Sequence, residues 1–284
     1  MDNAGVQICL ERWLVACITL VALSCACVSA SASSVADSLA LALRQTQASG
    51  VVVDMKTGIV IASEGMSRRG APGSTIKPLL LEYALEHSIV RPETEVYCHR
   101  NLHVGGRALP CTHPADHPVF IAESALAESC NTWFAEMAYR FSGTELEAAL
   151  QATFLPHKTM AGANVEQRQL AVLGLDGVST SPIELARAYR DLLQRAPRAG
   201  PVVRGLEGSV NYGMANAAAI LGVTILGKTG TASDAGEPWT HGWFAGAMPG
   251  RFVVVVYVPH GDGGTAARLA QTFFQAVSGE GKLR

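Results

Sequence analysis

The spacing of apolar residues changes several times along this chain, and each change marks a different element. Residues 33–48 are rich in alanine and leucine, with Gln45 and Gln47, and predict a first helix lying along a sheet. Two β-branched runs, Val51-Val52-Val53 and Ile59-Val60-Ile61, flank Lys56-Thr57-Gly58 and predict a hairpin over 51–62. The polar, glycine-punctuated stretch from Glu64 to Gly73 reads as a loop. From Ser74 to His87 the apolar residues Ile76, Leu79, Leu80, Tyr83, Ala84 and Leu85 form the stripe of a core helix, with Pro78 acceptable only near its start. Between Arg91 and Pro118 the pattern dissolves into prolines, glycines, histidines and cysteines, a long surface excursion. Helical spacing returns in two segments, Val119 to Glu128 and Thr132 to Phe141, which meet at Ser129-Cys130-Asn131. Thr180 to Arg195 carries a full set of helix-start signals: Ser181 as cap, Pro182 at the first position and Glu184 completing a capping box. The last third reads strand, strand, strand, helix: Val223 to Leu226, Trp239 to Ala247, Phe252 to Val258 and Thr265 to Val277. A strand apolar at consecutive positions, as 252–258 is, must be covered on both faces. The fold predicted is α+β: an antiparallel β-sheet covered by helices on both faces, with an all-helical lobe inserted between the first two and last three strands.

Composition narrows the function classes. With 284 residues, 49% apolar, 16% charged and a formal net charge of −2, neither disorder nor nucleic-acid binding is indicated. The apolar stretch Trp13 to Ala30 follows Arg12 and ends in Val28-Ser29-Ala30-Ser31-Ala32, small residues of the kind a signal peptidase cuts after. At about 18 residues it lies between a signal-peptide core and a membrane span of ~20. The expectation is an exported, periplasmic or extracytoplasmic protein. Residues 1–32 are then a signal peptide cleaved after Ala30 or Ala32, or a retained membrane anchor, and 33–284 a single catalytic domain. Cys9, Cys17, Cys25 and Cys27 belong to this leader, which leaves Cys98, Cys111 and Cys130. Cys98 and Cys111 are spaced to close a disulfide loop of about 14 residues. His99, His103, His113, Asp116 and His117 lie in or beside the same segment, but their spacing matches no closed Cys/His pattern, so no metal is assigned and the segment reads as a solvated loop. Cys130 reads as a buried small residue.

Three short strings carry candidate chemistry in a fixed order: Ser74-Thr75-Ile76-Lys77, Ser129-Cys130-Asn131 and Lys228-Thr229-Gly230. Two have decoys. Lys56-Thr57-Gly58 sits in the hairpin turn, and Ser209-Val210-Asn211 precedes the small-residue stretch 214–219, which reads as a packing face. A serine hydroxyl needs a nearby base, and Ser74 and Lys77 at i and i+3 share one helix face. Lysine serves as a base only when neutral, which burial and a second cation such as Lys228 both favour. In an extended junction Ser129 and Asn131 point to one side, Ser129 to relay a proton to a leaving amine and Asn131 to hold a substrate amide. Strand alternation puts Lys228 and Gly230 on one face, where the bare glycine lets an extended peptide lie. Lys228 and Thr231 attract a carboxylate, with Thr229 between them, and the backbone N–H groups of Ser74 and Thr231 form an oxyanion hole.

The trio resembles the signature of penicillin-binding proteins and serine β-lactamases. The likeness to the transpeptidase domain of class B penicillin-binding proteins covers most of residues 50–277. It includes Pro72-Gly73-Ser74-Thr75-Ile76-Lys77-Pro78, Ala125 through Phe134, Thr180-Ser181-Pro182, Gly227-Lys228-Thr229-Gly230-Thr231-Ala232 and His241-Gly242-Trp243-Phe244-Ala245-Gly246. The resemblance implies a cofactor-free D,D-transpeptidase or D,D-carboxypeptidase. Its Ser74 is acylated by the D-Ala-D-Ala end of a peptidoglycan stem peptide, and β-lactams trap that serine as covalent inhibitors. No pedestal domain is visible before the hairpin, and the stretch from hairpin to Ser74 is shorter than the family's, which leaves open whether an amine or water takes the acyl group. Two alternatives stay open: a serine β-lactamase, although Glu166-Gln167-Arg168-Gln169-Leu170 lacks the Glu-x-x-x-Asn asparagine, and a non-catalytic penicillin-sensing module.

Overall fold

The computed structural model describes residues 34–279; the expected leader at 1–32 lies outside the described residues. Helix α1 (34–43) precedes the predicted hairpin, β1 (Ser49–Asp54) paired antiparallel with β2 (Val60–Glu64). Asp54 Oδ1 accepts the Thr57 N–H at 2.6 Å, so Lys56-Thr57-Gly58 is turn chemistry, as its context predicts. A loop then leads to a 3-10 turn, Gly73–Ile76, which runs into α2 (Lys77–Glu86) with Pro78 in its first turn, where a missing N–H costs no helical bond. The excursion expected between Arg91 and Pro118 is pinned by two short ladders. β3 (Val96–Tyr97) pairs with β6 (Val119–Phe120), and β4 (His103–Val104) with β5 (Arg107–Ala108). The inserted lobe is therefore helical apart from these strands of two residues each.

Helices α3 (Ala122–Ala127) and α4 (Asn131–Arg140) follow the predicted pair, each trimmed at its ends. α5 (Gly143–Ala152) and α6 (Val165–Val172) fall where the hydrophobic pattern predicts no element. Both nevertheless carry capping boxes, Ser142 with Glu145 and Asn164 with Gln167, and these were the legible signal. α7 (Pro182–Arg195) begins as predicted, with Glu184 accepting the Ser181 N–H at 2.9 Å. α8 (Pro201–Asn211) is unpredicted because Gly205 and Gly208 interrupt its apolar stripe. A Cβ on Gly205 would lie 2.9 Å from the Leu126 side chain, so the glycine is what lets α8 lie against α3. The decoy Ser209-Val210-Asn211 is the end of α8, with Ser209 fully buried.

The chain then closes its main sheet with β7 (Leu226–Ala232), β8 (His241–Met248), β9 (Phe252–Val258) and a final helix, α9 (Gly263–Gly279). β7 starts at Leu226 rather than Val223, which makes an isolated bridge to Ile220. The five-stranded order is β2-β1-β9-β8-β7, antiparallel throughout, with β7 at one edge. Side chains alternate between two cores. Val51, Val53, Val253, Val255 and Trp243 face the lobe, while Val52, Val254, Val256 and Phe244 pack with Leu39 of α1 and Phe273 and Phe274 of α9. Each fully buried valine is worth roughly 1.5–3 kcal/mol, which is why the consecutive valines of β9 require a covered sheet.

Candidate active site

Ser74 lies in the 3-10 turn and Lys77 is the first residue of α2, so the pair straddles a junction rather than sharing one helix. The turn is tied on every side. Gly73 N–H donates to Gly174 O at 2.9 Å, Tyr189 Oη to Thr75 O at 2.8 Å, and Thr75 Oγ1 to Pro72 O at 2.7 Å. Just upstream, Ala71 O accepts from His241 Nε2 at 2.8 Å and Trp243 Nε1 at 2.9 Å, while Ala71 N–H donates to Asp234 Oδ1 at 3.0 Å. Asp234 and Tyr189 are positioning groups that the sequence motifs do not single out.

Two glycines bring this turn onto the edge strand. Gly73 has φ +54°, and a Cβ there would lie 2.8 Å from both the N and O of Thr231. A Cβ on Gly230 would run into Pro72 O and the Thr75 backbone. Gly230 is thus bare so that β7 can touch the serine turn, rather than so that a peptide can lie on it. Gly73→Ala is expected to cost about 2 kcal/mol or more through the left-handed backbone and the clash. A thermal melt should show it as a fall of about 4–8 °C; an unchanged melting temperature would contradict this account of the turn.

The second string is a helix stop rather than an extended junction. Ser129 has φ +57°, its N–H donates to Leu126 O at 3.3 Å, and Cys130 N–H donates to Ala125 O at 2.9 Å. This is the Schellman arrangement at the end of α3, with serine where glycine is usual. Cys130 is at once the residue after that stop and the N-cap of α4, which makes Asn131 the first residue of α4. The reversal aims both predicted side chains at one atom. Lys77 Nζ donates to Ser129 O at 3.0 Å, to Ser129 Oγ at 3.3 Å and to Asn131 Oδ1 at 2.8 Å. A non-glycine residue held at positive φ marks strain that the surroundings must impose, and such strain gathers at functional sites.

Lys77 is fully buried, with its ammonium 4.9 Å from the centre of the Phe134 ring. Burial pulls its pKa down to about 8, opposed by the sulfurs of Cys130 and Cys111. Lys228, also fully buried, is pushed well below the usual lysine range by burial first and by the charge of Lys77 second. The repulsion expected to depress Lys77 is therefore felt at Lys228. Lys228 Nζ donates to Thr229 O at 3.2 Å.

The structure does not bring every predicted residue to the cleft. The Thr229 hydroxyl points away from it and donates to Met214 O at 3.2 Å. Thr231 is exposed, and its Oγ1 accepts the Gly263 N–H at 2.9 Å, which leaves its proton free to donate outward. Beyond Thr231 opens a cavity of about 1000 Å³ between the 231–236 loop, the β4–β5 hairpin and the 156–158 and 175–179 segments.

The penicillin binding protein transpeptidase domain family model matches residues 40–278. This chain belongs to that family. Solved transpeptidase domains share its fold. The D,D-transpeptidase domain of a peptidoglycan glycosyltransferase from Eggerthella lenta superposes with a TM-score of 0.76 at 18% identity, over 88% of this chain and 82% of that one. The transpeptidase domain of Burkholderia pseudomallei penicillin-binding protein 3 gives 0.76 at 19% identity, over 89% and 94%. Pseudomonas aeruginosa PBP2, solved in complex with WCK 5153, gives 0.72 at 18%, over 86% and 74%. No curated protein sequence matches the chain. Family and fold together support a transpeptidase-type function in peptidoglycan. Among the described residues of this transpeptidase domain, no helix is long and apolar enough to cross a membrane.

Proposed function

We propose that this domain is an exported serine D,D-transpeptidase or D,D-carboxypeptidase acting on the D-Ala-D-Ala end of peptidoglycan stem peptides. The observation that carries the reading is the single contact set of Lys77. A buried amine with its pKa brought to about 8 is held by Ser129 and Asn131 and stands three residues from Ser74. Neutral Lys77 takes the Ser74 proton as Oγ bonds to the carbonyl carbon of the penultimate D-Ala. The developing oxyanion is met by the N–H groups of Ser74 and Thr231. The C–N bond then breaks, Ser129 delivers a proton to the leaving D-Ala amine, and the acyl group passes from Ser74 to an amine or to water. Asn131 holds the substrate amide. The edge position of β7 supports binding of an extended peptide alongside it, with Lys228 and Thr231 meeting its carboxylate. Residues 1–32 serve as the export signal or membrane anchor.

The test is the intact mass of the protein over time after penicillin is added. A persistent adduct is expected. A transient adduct accompanied by antibiotic hydrolysis would mean a β-lactamase, and no adduct would leave a non-catalytic fold. Lys228→Ala is expected to slow acylation by carboxylate-bearing β-lactams about 10- to 100-fold, since it removes a charge-assisted contact worth about 1.5–3 kcal/mol. Acylation by carboxylate-free analogues should change little; an equal loss for both would remove the carboxylate role.

A further inference from the structure

Behind the Ser129-Cys130-Asn131 turn lies a cluster that neither the proposed mechanism nor the family match uses. Cys98, Cys111, Cys130 and His113 are all buried, and their four ligand atoms lie within 4.8 Å of one another. The three cysteines are free thiols, so the disulfide that the 98 and 111 spacing allows is not formed. Cys111 Sγ is 4.0 Å from Cys130 Sγ, and Cys98 Sγ is 3.5 Å from His113 Nε2. Zinc bonds of ~2.3 Å to sulfur and ~2.0 Å to nitrogen, arranged tetrahedrally, put ligand atoms about 3.8 Å apart for two sulfurs and about 3.5 Å for sulfur and nitrogen. We propose that Cys98, Cys111, Cys130 and His113 form a closed zinc site that locks the 98–113 excursion to the start of α4.

The surroundings are arranged for metal ligands. His113 Nδ1 lies 2.8 Å from Pro114 O, which fixes its proton there and leaves the Nε2 lone pair facing the sulfurs. Glu128 Oε2, buried and without a hydrogen bond among the described residues, lies 3.8 Å from the same Nδ1. Its other oxygen is 2.7 Å from His117 Nε2. The bond from Nδ1–H to the Pro114 carbonyl is the kind of outer-shell contact that orients a metal-bound imidazole, with the Glu128 carboxylate close by. Cys111 Sγ accepts the Asn131 N–H at 3.2 Å, as a metal-bound sulfur can, and the Thr132 hydroxyl lies 3.5 Å from Cys98 Sγ, which donates to it, and 3.8 Å from Cys111 Sγ. Binding exchanges the thiol protons for one divalent ion, giving three thiolate bonds and one imidazole bond with no open position.

The site answers a need of the fold. The ladders of the excursion are two residues long, and a metal cross-link adds to them and to the Arg100 contacts with the carbonyls of Cys111, His113 and Pro114. Because Cys130 separates the two residues that hold Lys77, the ion also fixes where Ser129 and Asn131 sit. In an exported protein it would keep three adjacent thiols from oxidising. The local spacing of the cysteines and histidines hid the site, since the fourth ligand, Cys130, comes from another element.

The experiment is metal analysis of the purified full chain, followed by cobalt substitution. The expected results are one zinc per chain, cobalt absorption typical of tetrahedral thiolate ligation, and a melting temperature lower by roughly 10 °C after metal removal. Cys98→Ser and His113→Ala should each lose the stoichiometric ion. Should either variant fail to fold, stepwise mercurial titration of the wild-type thiols should release one zinc in proportion to the buried cysteines modified. A metal-free protein that does not take up zinc after reduction, or one whose mass shows a Cys111–Cys130 or Cys98–Cys111 disulfide, would overturn the proposal. So would zinc retained at full stoichiometry in both variants.

Discussion

Replacing Ser74 with alanine is expected to abolish covalent labelling by penicillin while leaving the melting temperature within about 2 °C of the wild type. The hydroxyl is the only group removed, and the ties that hold its turn run through backbone atoms of Ala71, Gly73 and Thr75 rather than through Ser74 Oγ. Neither core loses a side chain, so the change belongs with surface substitutions of small effect on stability. The loss of labelling should be complete, because the other hydroxyl of the turn, Thr75 Oγ1, is buried and committed to Pro72 O. Intact mass after prolonged exposure, with the melt measured in parallel, reads both quantities. Residual adduct on any other residue would show that the nucleophile has been misassigned.

The second large effect belongs to Lys77. If its neutral amine is the base, acylation of wild-type protein should climb about tenfold per pH unit below about pH 7 and level off above about pH 8–9. The direction follows from burial, which lowers its pKa to about 8 and makes the reactive form the one that dominates at higher pH. The titratable groups facing it are Lys228 from β7 and the thiols of Cys130 and Cys111 behind the Ser129 turn. Burial first and the charge of Lys77 second push the pKa of Lys228 down as well. Lys77→Ala should reduce acylation about 10²- to 10⁴-fold and flatten the profile. A wild-type rate independent of pH from 6 to 9, or a variant that keeps the same pH dependence, would assign the base elsewhere.

Much of the scaffold is written in local pattern. The hairpin 51–62, the valine run of β9 and the capping box at Ser181 each depend on residues within a few positions of one another, and each appears where it is predicted. The helices that escape prediction do so for identifiable reasons. α8 carries glycines whose purpose is contact with α3, and that contact joins residues far apart in the chain. The decoy strings are also resolved locally: one is a hairpin turn held by Asp54, the other the buried end of a helix.

The sequence by itself determined the antiparallel sheet with helices on both faces and the order of the three strings, because periodicity, capping and motif spacing are short-range properties. Only the tertiary structure decided which atoms those strings present to one another. It turned Ser129 into a left-handed helix stop, directed Lys77 onto Ser129 and Asn131, more than 50 residues away, and faced the Thr229 hydroxyl away from the cleft. It also made Gly230 a packing contact, transferred the lysine–lysine repulsion to Lys228, and gathered three thiols and an imidazole from separate elements. Burial, charge and coordination depend on which surfaces meet when the lobe closes on the sheet, and no spacing along the chain encodes that meeting.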